Sequence, residues 1–168
     1  MSASSELQQL IADKLSQGGN LRVPVPVFSR RAKELASDIE TALGDRGLSI
    51  FVMPPLPTRA MQGVPFVFFE RAEVRVRIIE QPAHNDTGAD AYDLVDDVAA
   101  ALHWQHFSAI LSHPLQLGSR PCEMIEDPKT RVIDVMFEAV YGFRTKPPDM
   151  GSTQQTMDSS RQSFDQTT

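Results

Sequence analysis

Residues 66–79 read Phe-Val-Phe-Phe-Glu-Arg-Ala-Glu-Val-Arg-Val-Arg-Ile-Ile. Phe66, Phe68, Ala72, Val74, Val76 and Ile78 share one parity, while Arg71, Glu73, Arg75 and Arg77 share the other. Alternation of period two marks a strand with one buried face and one face that is wet or meets a partner. Glu70 interrupts the apolar parity, which predicts a bulge or bend there. A second stretch, Arg131 to Phe143, behaves in the same way. Ile133, Val135, Phe137, Ala139, Tyr141 and Phe143 fall on one side, with Asp134 and Glu138 on the other. Ahead of it, Asp127-Pro128-Lys129-Thr130 is a turn-forming sequence, and Arg120 to Glu126 is weakly strand-like. Together they predict an antiparallel hairpin.

Helical patterns frame these strands. Leu7, Leu10, Ile11 and Leu15 form a stripe, with Ser5 and Gln8 in capping-box positions and Gly18-Gly19 as the stop. Ser29 to Leu43 predicts a second helix, ended by Gly44 and Gly47. A third runs from about Asp90 to Trp104, with Leu94, Val95, Val98 and Leu102 on its apolar side. Asp90, Asp93, Asp96 and Asp97 crowd its first half, as the helix dipole favours. Between the first two helices, Arg22 to Phe28 carries Pro24 and Pro26, which allow an edge strand or an extended linker but not a central strand. Leu48 to Met53 is a short strand stopped by Pro54, Pro55 and Pro57, and residues 54–64, with Arg59, read as a contact loop. Residues 105–119 hold few clear signals.

Composition narrows the function classes. The chain has 168 residues, 41% hydrophobic and 23% charged, as a water-soluble globular protein would be. Sixteen basic residues face 22 acidic ones, a net charge of −6, which argues against direct nucleic-acid readout. No apolar run approaches the roughly 20 residues of a membrane span. Met1 to Glu6 lacks the basic and apolar regions of a secretory signal. The one cysteine, Cys122, forms no intramolecular disulfide and reads as a structural thiol in a reducing compartment. Residues 146–168 hold 12 Ser, Thr or Gln among 23, too polar to offset their ordering entropy, so the expected organisation is one domain over 1–145 and a polar, mobile tail over 146–168.

Few residues point to chemistry. His103 and His106, spaced i, i+3 at a predicted helix end, could form a three-nitrogen metal set with His113, the arrangement of a small metal-dependent hydrolase. No strict metal signature, nucleophile elbow or phosphate loop accompanies them. The alternative for His103 and His106 is a helix C-terminus, where an imidazolium suits the dipole. The charged strand faces are more suggestive. Arg71, Glu73, Arg75, Arg77, Asp134 and Glu138 form either a wet surface or an oligomer seam where charge sets register. Reversing Arg75 and Arg77 together is expected to leave the isolated fold nearly intact, as surface changes do.

The order of elements carries a resemblance. A docked N-terminal helix precedes a helix and a strand, and a Pro-rich loop leads into the charged strand ending Val-Arg-Ile-Ile-Glu. A loop with Asn85 and Gly88, an acidic amphipathic helix and the hairpin with Val-Met-Phe-Glu-Ala-Val-Tyr-Gly-Phe at 135–143 complete it. Over residues 5–143 this layout resembles the tail terminators and related minor-tail completion proteins of tailed bacteriophages. The resemblance implies an α/β (α+β) fold, a mainly antiparallel sheet with helices packed on it. It implies a non-enzymatic virion protein without cofactor, assembled in the host cytoplasm. Such a protein forms a ring, hexameric in that group, that caps the tail tube at the head–tail junction and ends its growth. Its partners would be copies of itself, the tail tube protein and a head-completion or connector protein. Arg59 in the 54–64 loop and the charged strand faces would supply ring or tube contacts. Another neck or connector ring protein, a minor tail protein, or a monomeric interaction module or assembly chaperone are the neighbouring readings.

Overall fold

The computed structural model describes residues 3–29, 41, 43, 45–62, 67–118, 121–127 and 129–144. Its centre is a pair of long antiparallel strands, β4 (Val67–Glu80) and β7 (Thr130–Arg144). They pair at fourteen consecutive positions, from Val67 opposite Arg144 to Glu80 opposite Arg131. The fold is α+β, a mixed sheet with two described helices packed on one face.

Each long strand is flanked by shorter ones laid end to end. On the outer edge of β4, β3 (Leu56–Gln62) pairs with its first half and β2 (Leu48–Val52) with its second. On the outer edge of β7, β6 (Cys122–Asp127) pairs with its beginning and β5 (Gln116–Leu117) with its middle. The two-residue strand β1 (Val27–Phe28) adds to β2 in parallel.

Parity decides what faces the core. Ala72, Val74, Val76 and Ile78 of β4 and Ile133, Val135, Phe137 and Ala139 of β7 are all essentially inaccessible. They pack under α1 (Ala3–Ser16) and α2 (Ala91–Leu102), which contribute Leu7, Ile11, Leu15, Leu94, Val98 and Leu102. Gln8 of α1 is buried too, and its amide donates to the Val52 carbonyl at 2.6 Å, tying the helix to β2. A smaller cluster on the opposite face joins Leu43, Phe51, Ile79 and Val132, with Phe28 stacked on Phe51 at 5.0 Å.

Polar ties hold the connections in place. Asp90 caps α2 in a full capping box with Asp93. The acidic cluster has a second role, because Arg22 in the extended arm donates to both oxygens of Asp97 and to Asp93. Buried Glu80, at the end of β4, accepts from the Asn85 amide (2.7 Å), the Ala91 N–H (3.3 Å) and Arg131 (2.9 Å). One carboxylate thus joins the sheet, the 81–90 loop and the start of α2. Gly47 has φ +67°, and a Cβ there would come within 2.5 Å of the 84–85 backbone, so the close approach of that loop requires glycine.

Several predicted boundaries move. Residues 56–62 of the predicted contact loop form strand β3. The prolines break only the junction, and a register shift between Pro57 and Arg59 absorbs the last of them. Leu56, on this edge, is 54% exposed, and the residues Leu-Pro-Thr-Arg-Ala-Met-Gln lack the apolar alternation in sequence that betrays a half-buried strand. Glu70 causes no bulge: β4 runs against β7 without a register break, and Glu70 sits opposite Tyr141, sharing a small recess with Ala3 and Ser4. Burial, with the Glu70 charge adding to it, pushes the Tyr141 phenol up to about 12. Helix α1 starts at Ala3, two residues before the predicted cap Ser5, and α2 ends at Leu102 rather than Trp104. The Arg22–Phe28 stretch is both readings at once, an extended arm that becomes an edge strand at Val27. Most of the predicted helix over 29–43 lies outside the described residues, as does the tail over 146–168; helical backbone is described at Thr41 and Leu43, and at Asp45 and Arg46 beyond the predicted end. Among the described residues no helix is long and apolar enough to cross a membrane.

Two stability predictions follow from this packing. Phe137→Ala should lose about 3–5 kcal/mol, read by denaturant unfolding; an unchanged midpoint would contradict the burial of that side chain. For Asp97, burial pushes the carboxyl up, but the Arg22 hydrogen bonds and charge outweigh it and hold it below 3.8. Its contribution is therefore present at neutral pH and lost as the pH falls through that lowered value. Asp97→Asn should melt a few degrees below the parent at neutral pH, and the gap should close in acid.

Candidate functional site

The sheet face opposite α1 and α2 carries the charges. Strand pairing sets their order: Arg77 lies directly opposite Asp134, and Glu73 directly opposite Glu138. The first pair attracts. The second places like charges side by side, which is unfavourable unless cations intervene. Two arginines do so. Arg75 binds Glu73 at 2.8 Å along the same strand, and Arg71 reaches diagonally to Glu138 at 3.1 Å. Three guanidinium groups and three carboxylates therefore balance on one face of an acidic chain.

The array has an inner and an outer part. Asp134 is the inner part, its side chain 4% exposed. Arg77 grips it with two parallel hydrogen bonds of 2.8 and 3.0 Å, and Arg75 stands 3.6 Å from its second oxygen. A bidentate guanidinium–carboxylate pair is directional as well as strong. Arg71 and Glu138 are the outer part, both 43% exposed and open to other partners. Grooves flank Glu138 on either side. One, of about 460 Å³, runs past Phe69, His113, Gln116 and Val140; the other, of about 200 Å³, lies by Thr58, Glu73 and Met136.

The structure thus brings six of the seven predicted contact residues into one array. For the seventh, Arg59, the backbone pairs opposite Arg71, while its side chain is not among those described. One expectation is corrected. Arg75 and Arg77 are not simple surface charges, since reversing both would surround buried Asp134 with negative charge and strike the fold itself. The sequence could not show this, because Asp134 becomes buried only when its neighbours on β4 close over it.

The histidines do not converge. His103 caps the end of α2 and its Nδ1 accepts from the Leu117 N–H at 3.1 Å. His106 lies beyond the helix, with Nε2 3.1 Å from the Leu111 carbonyl. His113 Nδ1 lies 3.1 Å from the Ser112 hydroxyl, which itself donates to the Val140 carbonyl. Each ring serves a different local turn. Among the described residues no group of three His, Cys, Asp or Glu side chains is placed to hold a metal. The same region holds a feature that the sequence did not flag. Trp104 is 63% exposed with φ +64°, held in that uncommon conformation while its N–H donates to the Leu115 carbonyl at 2.8 Å, beside the partly exposed Leu117. Gln116 also escaped notice, because residues 105–119 have no periodicity to read, and His113 entered only as a candidate metal ligand.

No protein-family model and no curated protein matches the sequence. Among solved structures, a chain of the virion of a native gene transfer agent particle shares the fold, with a TM-score of 0.50 and 16% identity. The likeness covers 83% of this chain and 92% of that one.

The two parts of the array should respond differently to substitution. Asp134→Ala leaves two arginines without their shared carboxylate and should cost about 2 kcal/mol. Glu138→Ala removes an exposed pair and should change stability by about 0.5 kcal/mol or less. Equal losses in urea unfolding would contradict the division.

Proposed function

We propose that this chain is a structural protein of a phage-like particle, working by assembly rather than by turnover. The observation that carries the reading is the shared fold with a virion chain, which extends over nearly the whole of that chain. Within the particle, the reading places it at the head–tail junction as a ring of copies, six in the tail-terminator arrangement, that caps the tail tube, ends its growth and offers a surface to the head connector.

The geometry supports an assembly role in two ways. A closed ring needs head-to-tail contacts between two different patches of each subunit. The balanced charge array is one candidate patch, suited to fixing register against a neighbour. The other is the β5 edge, where Trp104 and Leu117 are exposed; tryptophan is among the residues most often found as an interface anchor. A role as another neck or connector ring protein, or as a minor tail protein, would use the same patches.

Arg71→Glu tests the seam. Its melting curve should stay close to the parent's, within about 0.5 kcal/mol, while the yield of complete particles falls. Adding Glu138→Arg in the same chain should restore the local pair and part of the yield. Normal particles from Arg71→Glu would remove the seam from the reading. The broader proposal is tested by mass spectrometry of purified particles and micrographs of particles made without the chain. Over-long or headless tails are expected, and absence of the chain from particles would overturn it.

A further inference from the structure

Trp104 is the most exposed large apolar side chain among the described residues, at 63%, and the chain's single tryptophan. Its backbone is left-handed, with φ +64°, a region that glycine and asparagine enter more readily than a bulky residue. Two hydrogen bonds fix it there. The Trp104 N–H donates to the Leu115 carbonyl at 2.8 Å, and the Gln105 N–H donates to the Leu102 carbonyl at 3.0 Å. The His103 ring accepts the Leu117 N–H at Nδ1 and braces the indole at 5.1 Å between centroids. A strained backbone thus holds a large ring out in water, and strain of this kind points to a use for what it holds.

The larger groove on the charged face has the complementary chemistry. Phe69, Pro114 and Val140 give it apolar walls, and the Phe69 and His113 rings meet edge to face at 6.4 Å. Arg71 and Glu138 supply its charge, 3.1 Å apart and both 43% exposed. The face of an indole attracts a guanidinium more strongly than other aromatic rings do, and its N–H seeks an acceptor when buried. Arg71 offers the first and Glu138 the second. Neither has to give up the other, since a guanidinium has more donors, and a carboxylate more lone pairs, than one ion pair uses. The volume of about 460 Å³ lies within the roughly 300–1,000 Å³ of sites that enclose groups of this size. Neither Trp104 nor Leu117 lines the groove of its own chain. We infer that Trp104 of one copy seats in this groove of the next copy, with Leu117 following it against the apolar wall.

The inference deepens the ring reading and rests on it: it names which part of the β5 edge enters which part of the charged face. Ring and groove are different patches of one subunit. Each copy therefore gives one contact and receives another, as closure of a ring requires. An aromatic anchor buries roughly 150–250 Å², against roughly 800 Å² per partner in a stable complex. Two copies joined by this contact alone separate readily, whereas in a closed ring every copy is held twice.

Photo-crosslinking between copies tests it. Trp104 is replaced by p-benzoylphenylalanine, which keeps an aromatic knob, and that chain is mixed at high concentration with the parent chain grown in heavy isotopes. Crosslinks should join light chains to heavy ones and map to the groove around Gln116 and Val140. A heavy chain carrying Val140→Glu, which sets a carboxylate in the apolar wall opposite Arg71, should be captured severalfold less. Trp104→Asn separates the contact from the fold. Asparagine tolerates left-handed backbone, so this variant should melt no lower than the parent. Its incorporation into particles should nevertheless fall at least about tenfold, as loss of an interface anchor does. Crosslinks confined to one chain or mapping outside the groove, normal incorporation of Trp104→Asn, or a large drop in its melting temperature would each overturn the inference. Should the parent chain itself be missing from particles, the particle reading fails, and the crosslink map alone then decides the contact between copies.

Discussion

The uninterrupted pairing of β4 with β7 is the constraint from which the rest of the molecule takes its shape. Fourteen consecutive partners share one register, and side chains alternate faces along both strands. A slip of one residue would drive Arg71, Glu73, Arg75 and Arg77 into the apolar layer and expel Val74, Val76 and Ile78. No short edge strand could correct such an error. The shorter strands β2, β3, β5 and β6 instead read their own positions from the two central ones, each pair filling one outer edge in turn.

The covering layer depends on a few polar ties as much as on apolar contact. Gln8 fastens α1 to the end of β2, and Glu80 fastens the start of α2 to the ends of both central strands. Arg22 fastens the extended arm to α2 through Asp93 and Asp97. These ties act where chain segments change direction and apolar area is small. They choose among ways of docking the same two helices, a task for which undirected hydrophobic contact is poorly suited.

The charged face has a different economy. Buried ion pairs add little net stability over apolar replacements, because desolvation consumes much of the attraction. The Arg77–Asp134 pair is therefore better understood as a device that sets geometry than as a source of strength. It fixes an inner row on which the exposed Arg71–Glu138 pair rests, and that outer pair is cheap to exchange for a partner's charges. A face that is rigid beneath and exchangeable above suits the assembly role proposed here.

The strongest elements of this fold were legible in the linear sequence because each repeats a local rule. Period-two alternation located β4 and β7 and assigned Phe137 and Val76 to the core; helical spacing and an acidic first half located α2. The six charged residues now found together could be grouped beforehand because they share strand parity. What escaped had no local rule to follow. Strand β3 lies on an exposed edge, follows two prolines and contains a third, and gains its conformation from hydrogen bonds to β4, not from its own pattern. The three histidines looked like one set because they are close in sequence, yet each is held by a different turn. The burial of Asp134, the opposition of Glu73 and Glu138, and the groove beside His113 exist only once distant segments are brought side by side. Periodicity reports which face a residue takes, while pairing across the sheet decides which residue it meets there.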